Sequence, residues 1–511
     1  MTRINTNVPS VIAQNNLNRT SKELNLRLER LSTGMRINRG ADDPAGLIIS
    51  ERLRTDINGV TTGIKNSDRA SSIIATTEAS LAEVSDLLNS VKALIVESAN
   101  LSSQSERDAN QLQIDSAIES ITRISNTASF GGLKLLNGSL DYLLSSVAGS
   151  AITKVQVRNA SFVDVDDLQV QVDVVASAQR GELFFRGDTP TAGQIPSATT
   201  LQITGNTGVE VISLPVSATI SDIIEAVNKV TLLTGVTASP TTISSINGIV
   251  FRSKDFGSDS FVSVKRLGGP ADPSGDYFRG RLMKNPTGYE VPSTPTWTSM
   301  SVADRDEGRD VEALVNGNLA TGRGLNVSVN SSSLSLELLL TSAAAVRPAA
   351  TGTAFFITGG GALFQLGPEV NSLQQANVGI PSVAASNLGG TVVDGTLQFL
   401  SSLRSGETNS VASSARRSDF SQASQILERA IDEVSVLRGR MGAFERNVLE
   451  TNVRSLQAAF ENLTASESQI RDADFAAETS QLTRAQILSN SGTSILTLAN
   501  QQSQQVLQLL G

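Results

Sequence analysis

Apolar residues recur at coiled-coil spacing at the two ends of this 511-residue chain and not between them. In the N-terminal arm Leu17, Leu24, Leu28, Leu31 and Met35 stand at steps of seven, four, three and four, a narrow seam of the kind that joins two helices. The seam restarts with one shift in phase at Ile57, Val60, Ile64, Ile74, Leu81, Val84, Leu88, Val91 and Ile95. That spacing predicts a helix over about 57–100, ~66 Å long at 1.5 Å per residue. A second helix is expected over 109–128 with Ile114, Ile118, Ile121 and Ile124 on its buried side, ending before the turn glycines Gly131, Gly132 and Gly138. Near the other end Val434, Leu437, Met441, Phe444 and Val448 form a seam, continued after a small slip in register by Val453, Leu456, Phe460, Leu463 and Ile470. The last stretch places Ala485, Leu488, Ile495, Ala499, Val506 and Leu509 in heptad register, but Gly492 and Gln502 occupy two seam positions and leave it weak.

Between the arms the pattern changes to short alternating runs such as VQVRNASFV, VEVISL, FVSVKRL and LNVSVNSSSLSLELLL, which read as strands. The fold class expected is therefore mixed: a long α-helical core of coiled-coil type made by the N- and C-terminal arms, with a β-rich α+β insert looped out as one or two domains. The expected divisions are 1–42 with 470–511, 43–175 with 408–469, and the insert at 176–407. Periodicity alone leaves open an ordinary helical bundle carrying an insert. Because every seam lies outside 176–407, the insert is expected to be dispensable for association of the arms.

The N-terminal helix is interrupted at LSTGMRINRGADDPAGLIISERLR. Gly34 can take the left-handed conformation that stops a helix, Asp43 can cap the next one, and Pro44 suits a first helical position, where its missing N–H has no partner to lose. Arg36, Arg39, Asp42 and Asp43 between them are suited to bridging within or between subunits. In the insert, Thr219 with Asp222 reads as a capping pair, Ile220, Ile223, Ile224 and Val227 as a short helix face, and Gly235 as its stop.

Composition narrows function. Cysteine and histidine are both absent, which removes disulfides, thiolate nucleophiles, imidazole bases and the usual zinc and copper ligands. The carboxylates are scattered rather than set at a ligand-loop spacing, so no catalytic, cofactor or metal site is expected. With 41 Lys and Arg against 50 Asp and Glu, a formal charge of -9, a general nucleic-acid grip is not expected either. No apolar run suggests a membrane span or a cleavable signal peptide.

The blocks INTNVPSVIAQNNL, LSTGMRINRGADDPAGLIISERL, LLNSVKALIVESANLSSQ, SNTASFGGLKLLNG, RMGAFERNVLETNV and QIRDADFAAETSQLTRAQILSNSGTSILTLANQQSQQVLQLL together resemble the bacterial flagellins, in that family's order and spacing. Ser217–Ser239 is similar to a strand–helix–strand insert of flagellins and hook proteins, and Phe364–Val383 looks like the returning segment of larger flagellins. The resemblance implies a folded-back chain whose termini form the innermost layer of a filament, with the helical bundle next and the insert facing solvent. The interruption would be the spoke between layers, with Gln469–Glu478 as its counterpart.

The implied function is a structural subunit that self-assembles into the flagellar filament, the alternative being a hook–filament junction protein of the same architecture. An enzyme or adhesin displayed by the insert is a further possibility of a different class. The resemblance also implies type III export to the cell exterior and, as partners, the export apparatus, an export chaperone, the filament cap and the junction proteins. Assembly would rest on Leu17, Leu24, Leu28, Leu31, Leu488, Ile495, Val506 and Leu509. Both ends are amide-rich, from Asn5, Asn7, Gln14, Asn15, Asn16 and Asn18 to Gln501, Gln502, Gln504, Gln505 and Gln508, and are expected to order on assembly. Flagellins seen by the Toll-like flagellin receptor use a patch that corresponds here to Leu88, Ser90, Val91, Leu94 and Gln113. Ser90 and Gln113 stand where such flagellins carry arginine and glutamate, so filament contact is the preferred role for that face.

Overall fold

The computed structural model describes residues 7–508 apart from 102, 163–166, 187–197, 244–245, 268–280, 283–300, 332, 347–351, 394–395 and 418. The chain divides into two compact units, one of Met1–Ala70, Gln365–Gln375 and Arg446–Gly511, the other of Ser71–Phe364 and Ala376–Glu445.

In the first unit the helix Val8–Thr33 begins at Asn7, whose side chain accepts from the Ser10 N–H, and stops at Gly34, left-handed at φ 72°. The helix Pro44–Asn100 follows, with Asp43 Oδ1 accepting from the Gly46 N–H at 2.9 Å. It starts thirteen residues earlier than the seam predicts, because caps and helix-forming residues carry its first turns while Ile48 and Ile49 stay exposed. Glu450–Arg471 runs back along it: Asn452 donates to Ser67 Oγ at 3.0 Å, and Arg471 pairs with Glu51 at 3.3 Å. Gly63 and Ser67 stand on the buried side here, where large residues would force the helices apart. The slip in the C-terminal seam is a π-helical turn, Glu445–Leu449, whose extra residue rotates the buried face so that Leu449 is buried and Val448 exposed.

The second unit holds a helical bundle with a filled core. Ile74, Leu81, Val84, Leu88, Val91 and Ile95 are buried, as are Ile114, Ile118 and Ile121 of the helix Gln104–Thr127, and Val434, Leu437 and Met441 of Ser421–Phe444. A buried Gln111 ties the bundle to the returning chain by donating to the Leu403 carbonyl at 2.9 Å and accepting from the Val411 N–H at 2.7 Å.

The β-rich part of this unit has two cores. Tyr142–Ser145, Leu168–Ala176, Thr353–Gly360, Glu312–Val315 and Asn318–Leu319 make one antiparallel sheet, and Ile152–Ala160, Leu334–Leu340, Asn326–Asn330 and Thr321–Arg323 make another. Their inner faces share a core that includes Val170, Leu336, Leu338 and Phe355. The boundary expected at residue 175 is therefore too late: strands from Tyr142 onward pair with residues near 312–360. The second core, built around Leu183, Ile203, Ile249 and Phe251, is inserted into the first. Its entry and exit strands meet where Gln179 and Arg309 exchange backbone bonds of 2.8 and 2.9 Å. A Cβ at Gly308 would collide with the carbonyls of Gln179 and Gly257, so this crossing needs glycine. The helix Ile220–Lys229 has the expected Thr219–Asp222 capping box, and its Ile223 and Val227 join this core; Gly235, left-handed at φ 72°, ends the short turn Thr231–Thr234 that follows.

Candidate assembly surface

The first and last helices of the first unit form an antiparallel pair. Asn7 donates to the Ala499 carbonyl at 3.0 Å, Ser10 Oγ bonds Asn500 Oδ1 at 2.7 Å, and a Cβ built at Gly492 would lie 3.3 Å from Leu17 Cδ1. Farther along, Arg27 and Arg30 close on Glu478 at 3.0 and 3.2 Å. The side of the helix Phe475–Gln508 turned to its partner thus carries Glu478, Ala485, Gly492 and Ala499 at steps of seven, with Ala13 buried opposite. Small residues let two backbones approach closely, and Gly492 fills a place in the contact that looks like a gap in the heptad.

The large residues of the same register point elsewhere. Leu488 is 46% exposed and Ile495 57%, and Ile487, Leu498, Val8, Val11 and Ile12 are exposed as well. Of the N-terminal seam, Leu17, Leu24 and Leu31 are half-buried in the pair, whereas Leu28 is exposed. Leu509 and the side chain of Val506 lie outside the described residues. A helix pair that turns alanine and glycine inward and isoleucine outward leaves apolar area for other molecules to cover.

The interruption between the first two helices, expected to act as a spoke, is a paired structure rather than a charged loop. Met35 bridges Asp472, the Arg36 N–H donates to the Arg471 carbonyl at 2.7 Å, and the Ala473 N–H donates to the Gly34 carbonyl at 2.9 Å. Arg36 Nη2 donates to the Ile470 carbonyl at 2.6 Å, and Arg39 pairs with Glu29 at 2.9 Å. Asp42 bridges no cation; its carboxylate accepts the Arg39 and Asn38 N–H groups, which hold its pKa below the ordinary aspartate value. Asp43 and Pro44 start the helix. Ile37, which no periodicity singled out, is buried against Gly46, where a Cβ would leave it no room.

The receptor-like patch needs correction. Leu88 and Val91 are fully buried in the bundle of the second unit, because they belong to its a/d seam; of the five residues only Ser90 and Gln113 are exposed, and Leu94 is half-buried. In the same unit a cavity of about 510 Å³ opens between the sheet strand Ile152–Ala160 and the helix Ser421–Phe444. Its charges are engaged with one another: Glu337 takes Arg158 at 2.6 Å and Arg429 at 2.8 Å, and Glu433 takes Lys154 at 2.7 Å. Burial pushes the Glu337 pKa up, but the two guanidiniums outweigh it and hold it below the ordinary value. Burial, with Arg158 alongside, lowers Arg440 to about 10, and its Nη2 donates to the Arg158 carbonyl at 2.6 Å. This network fastens the β domain to the bundle. Among the described residues no cluster of acids is arranged to hold a metal, and no helix is long and apolar enough to cross a membrane.

Comparison with known proteins bears on the same segments. Residues 4–141 match the bacterial flagellin N-terminal helical region, 424–510 the flagellin C-terminal helical region, and 200–255 the flagellin hook IN motif, together over half of the chain. The chain is 28% identical to a flagellin of Salmonella rubislaw and 29% identical to the B-type flagellin of Pseudomonas aeruginosa, each alignment covering 99% of both chains. Flagellin E of Vibrio cholerae is 40% identical over 160 residues, 30% of this chain and 42% of that one. Matched at both arms and in the insert, and aligned end to end with filament proteins, the chain belongs to the bacterial flagellin family.

Proposed function

We propose that the paired terminal helices, with their spokes, form the innermost layer of the filament, that the bundle surrounds them, and that the two β domains face solvent. The chain is a structural subunit of the bacterial flagellar filament, an extracellular assembly; what is proposed is which of its surfaces build the tube. One observation carries the reading: Ala485, Gly492 and Ala499 face the partner helix, while Leu488 and Ile495 face away and stay about half exposed. In a tube those residues would be covered by neighbouring copies, each burial contributing ~1.5–3 kcal/mol. The terminal helices already pair within the chain, so what assembly would add is hydrogen-bond partners for exposed amides such as Gln14 and Asn15. Export of the unfolded chain through the flagellar apparatus, an export chaperone, and contacts with the cap and junction proteins follow from the family as proposals. For Ser90 and Gln113 we favour contact between copies over an innate immune receptor.

Electron cryo-microscopy of seeded filaments tests the reading. Density for Phe475–Gln508 lining the inner wall is the expected result. Terminal helices found on the outer surface would overturn the layer assignment while leaving the subunit role intact.

A further inference from the structure

Residues 365–375 come from the middle of the chain yet belong to the first unit, and they form a rigid projection there. The Leu366 N–H donates to the Gln374 carbonyl at 2.9 Å, the Glu369 N–H to Gln374 Oε1 at 2.7 Å, and the Gln374 N–H to Asn371 Oδ1 at 2.9 Å. The base is seated on the long helix. Asn452 donates to the Leu366 carbonyl at 2.9 Å, and Pro368 lies so close to Gly59 that a Cβ there would be 2.8 Å from its own. At the tip, Val370 is 86% exposed and Leu373 90%. A loop this well ordered gains nothing for its own unit by holding two apolar side chains in water.

On the same unit, Ile48 and Ile49 are exposed at the start of the helix Pro44–Asn100, with exposed Arg52 one turn beyond Ile48. The loop does not cover them within its own chain: Val370 and Leu373 stay exposed, and Gly59, where the loop is seated, is eleven residues farther along the helix than Ile48, ~16 Å at 1.5 Å per residue. The two patches are complementary, one apolar with the acid Glu369, the other apolar with a cation. Two different patches on one chain can be joined head to tail between copies, an arrangement that runs on into an open helical assembly when the rotation does not close.

We propose that Val370 and Leu373 of one subunit dock on the Ile48, Ile49 and Arg52 surface of a neighbouring copy in the filament, with Glu369 against Arg52. The contact rests on the filament reading and adds to it a specific lateral joint outside the terminal helices.

The chain has no cysteine, so introduced thiols report without background. Leu373→Cys and Ile48→Cys chains, each diluted into excess wild type, are copolymerised from seeds and mildly oxidised. A disulfide-linked dimer that needs both variants, forms in filaments and is missing from the unpolymerised mixture is the expected result. Filaments that form without such a dimer overturn the contact while the filament reading stands; failure of the wild type itself to elongate seeds would remove both. Charge exchange gives a second reading. Glu369→Arg should raise the critical concentration about 2- to 5-fold, and adding Arg52→Glu should restore it. Absence of restoration counts against the pairing.

Discussion

The two units use the same seven-residue spacing to opposite ends. In the bundle of the second unit, Leu81, Leu88, Ile114, Ile121 and Val434 fill the interior and none has measurable contact with water. In the terminal pair of the first, Ala485, Gly492 and Ala499 are turned inward with Leu482 and Leu496 half-buried beside them, while Leu488 and Ile495 look outward. One set of helices completes its core within the chain, and the other leaves large apolar side chains exposed. A heptad therefore says that a face will be buried, not by whom.

The widest separation between the two units should come from one kind of substitution made in each. Leu88→Asp places an unpaired carboxylate in a closed core, on top of a lost leucine worth ~2–5 kcal/mol, and should leave no cooperative thermal transition for the bundle. Ile495→Asp should leave the monomer's calorimetric profile unchanged and abolish seeded growth, with Gln486→Asp, at a position already polar and exposed, as the milder control. Normal elongation by the Ile495 variant would mean that the outward side of the terminal helix meets nothing, and the inner-layer assignment would have to be given up.

Glu478→Ala comes next. It removes the acid that ties Arg27 and Arg30 to the last helix, and should destabilise the pair by about 2–3 kcal/mol, less than for a deeply buried pair because both guanidiniums keep some solvent. Hydrogen exchange should quicken over Val8–Thr33 and Phe475–Gln508 in the monomer and stay unchanged over Gln104–Thr127. Equal loss of protection in both places would erase the distinction between the units.

Removing the β domains should cost assembly less than either change, provided the cut respects the pairing. Joining residue 175 to residue 408 would strand Tyr142–Ala176 without the strands they pair with. The chain offers a better splice: the Gly361 N–H donates to the Asp141 carbonyl at 3.1 Å, so these residues can be joined by a short glycine link. The shortened chain should elongate seeds into thinner filaments. Loss of elongation with the bundle still folded would show that the β domains make required contacts.

What was legible in the sequence was local. Gly34, Asp43 with Pro44, and Thr219 with Asp222 act through atoms three or four residues away, and each does what its chemistry suggests. Two things were not legible, for one shared reason: the pairing of Tyr142–Ala176 with residues near 312–360 depends on partners more than a hundred residues distant, and the inward side of the last helix depends on where the first one lies. The burial of Leu88 and Val91 was legible, because their own seam assigns them to a core, and it is the resemblance to a receptor patch that places them on a surface. Glu478 and Ile37 carried no signal at all, since an acid or an isoleucine gains its meaning only from two arginines or a glycine brought beside it.

The smallest effect tests whether the inner β core behaves as self-sufficiently as the bundle. Thr219 accepts the Asp222 N–H, and Asp222 accepts both the Thr219 N–H and its hydroxyl at 2.8 Å. Thr219→Ala should cost ~0.5–2 kcal/mol in the unfolding of that domain at neutral pH, and nothing in seeded growth. The Thr219 N–H and hydroxyl lower the Asp222 pKa below its ordinary 3.8. A group whose folded-state pKa is depressed supplies its full stabilisation above the ordinary value and loses it as pH falls through the lower one. The gap between wild type and variant should accordingly be constant from neutral pH down to about 4 and narrow below 3.8. A gap that instead widened in acid would mean that the cap acts through some group other than Asp222. A change in filament growth would mean that this domain, too, is completed by its neighbours.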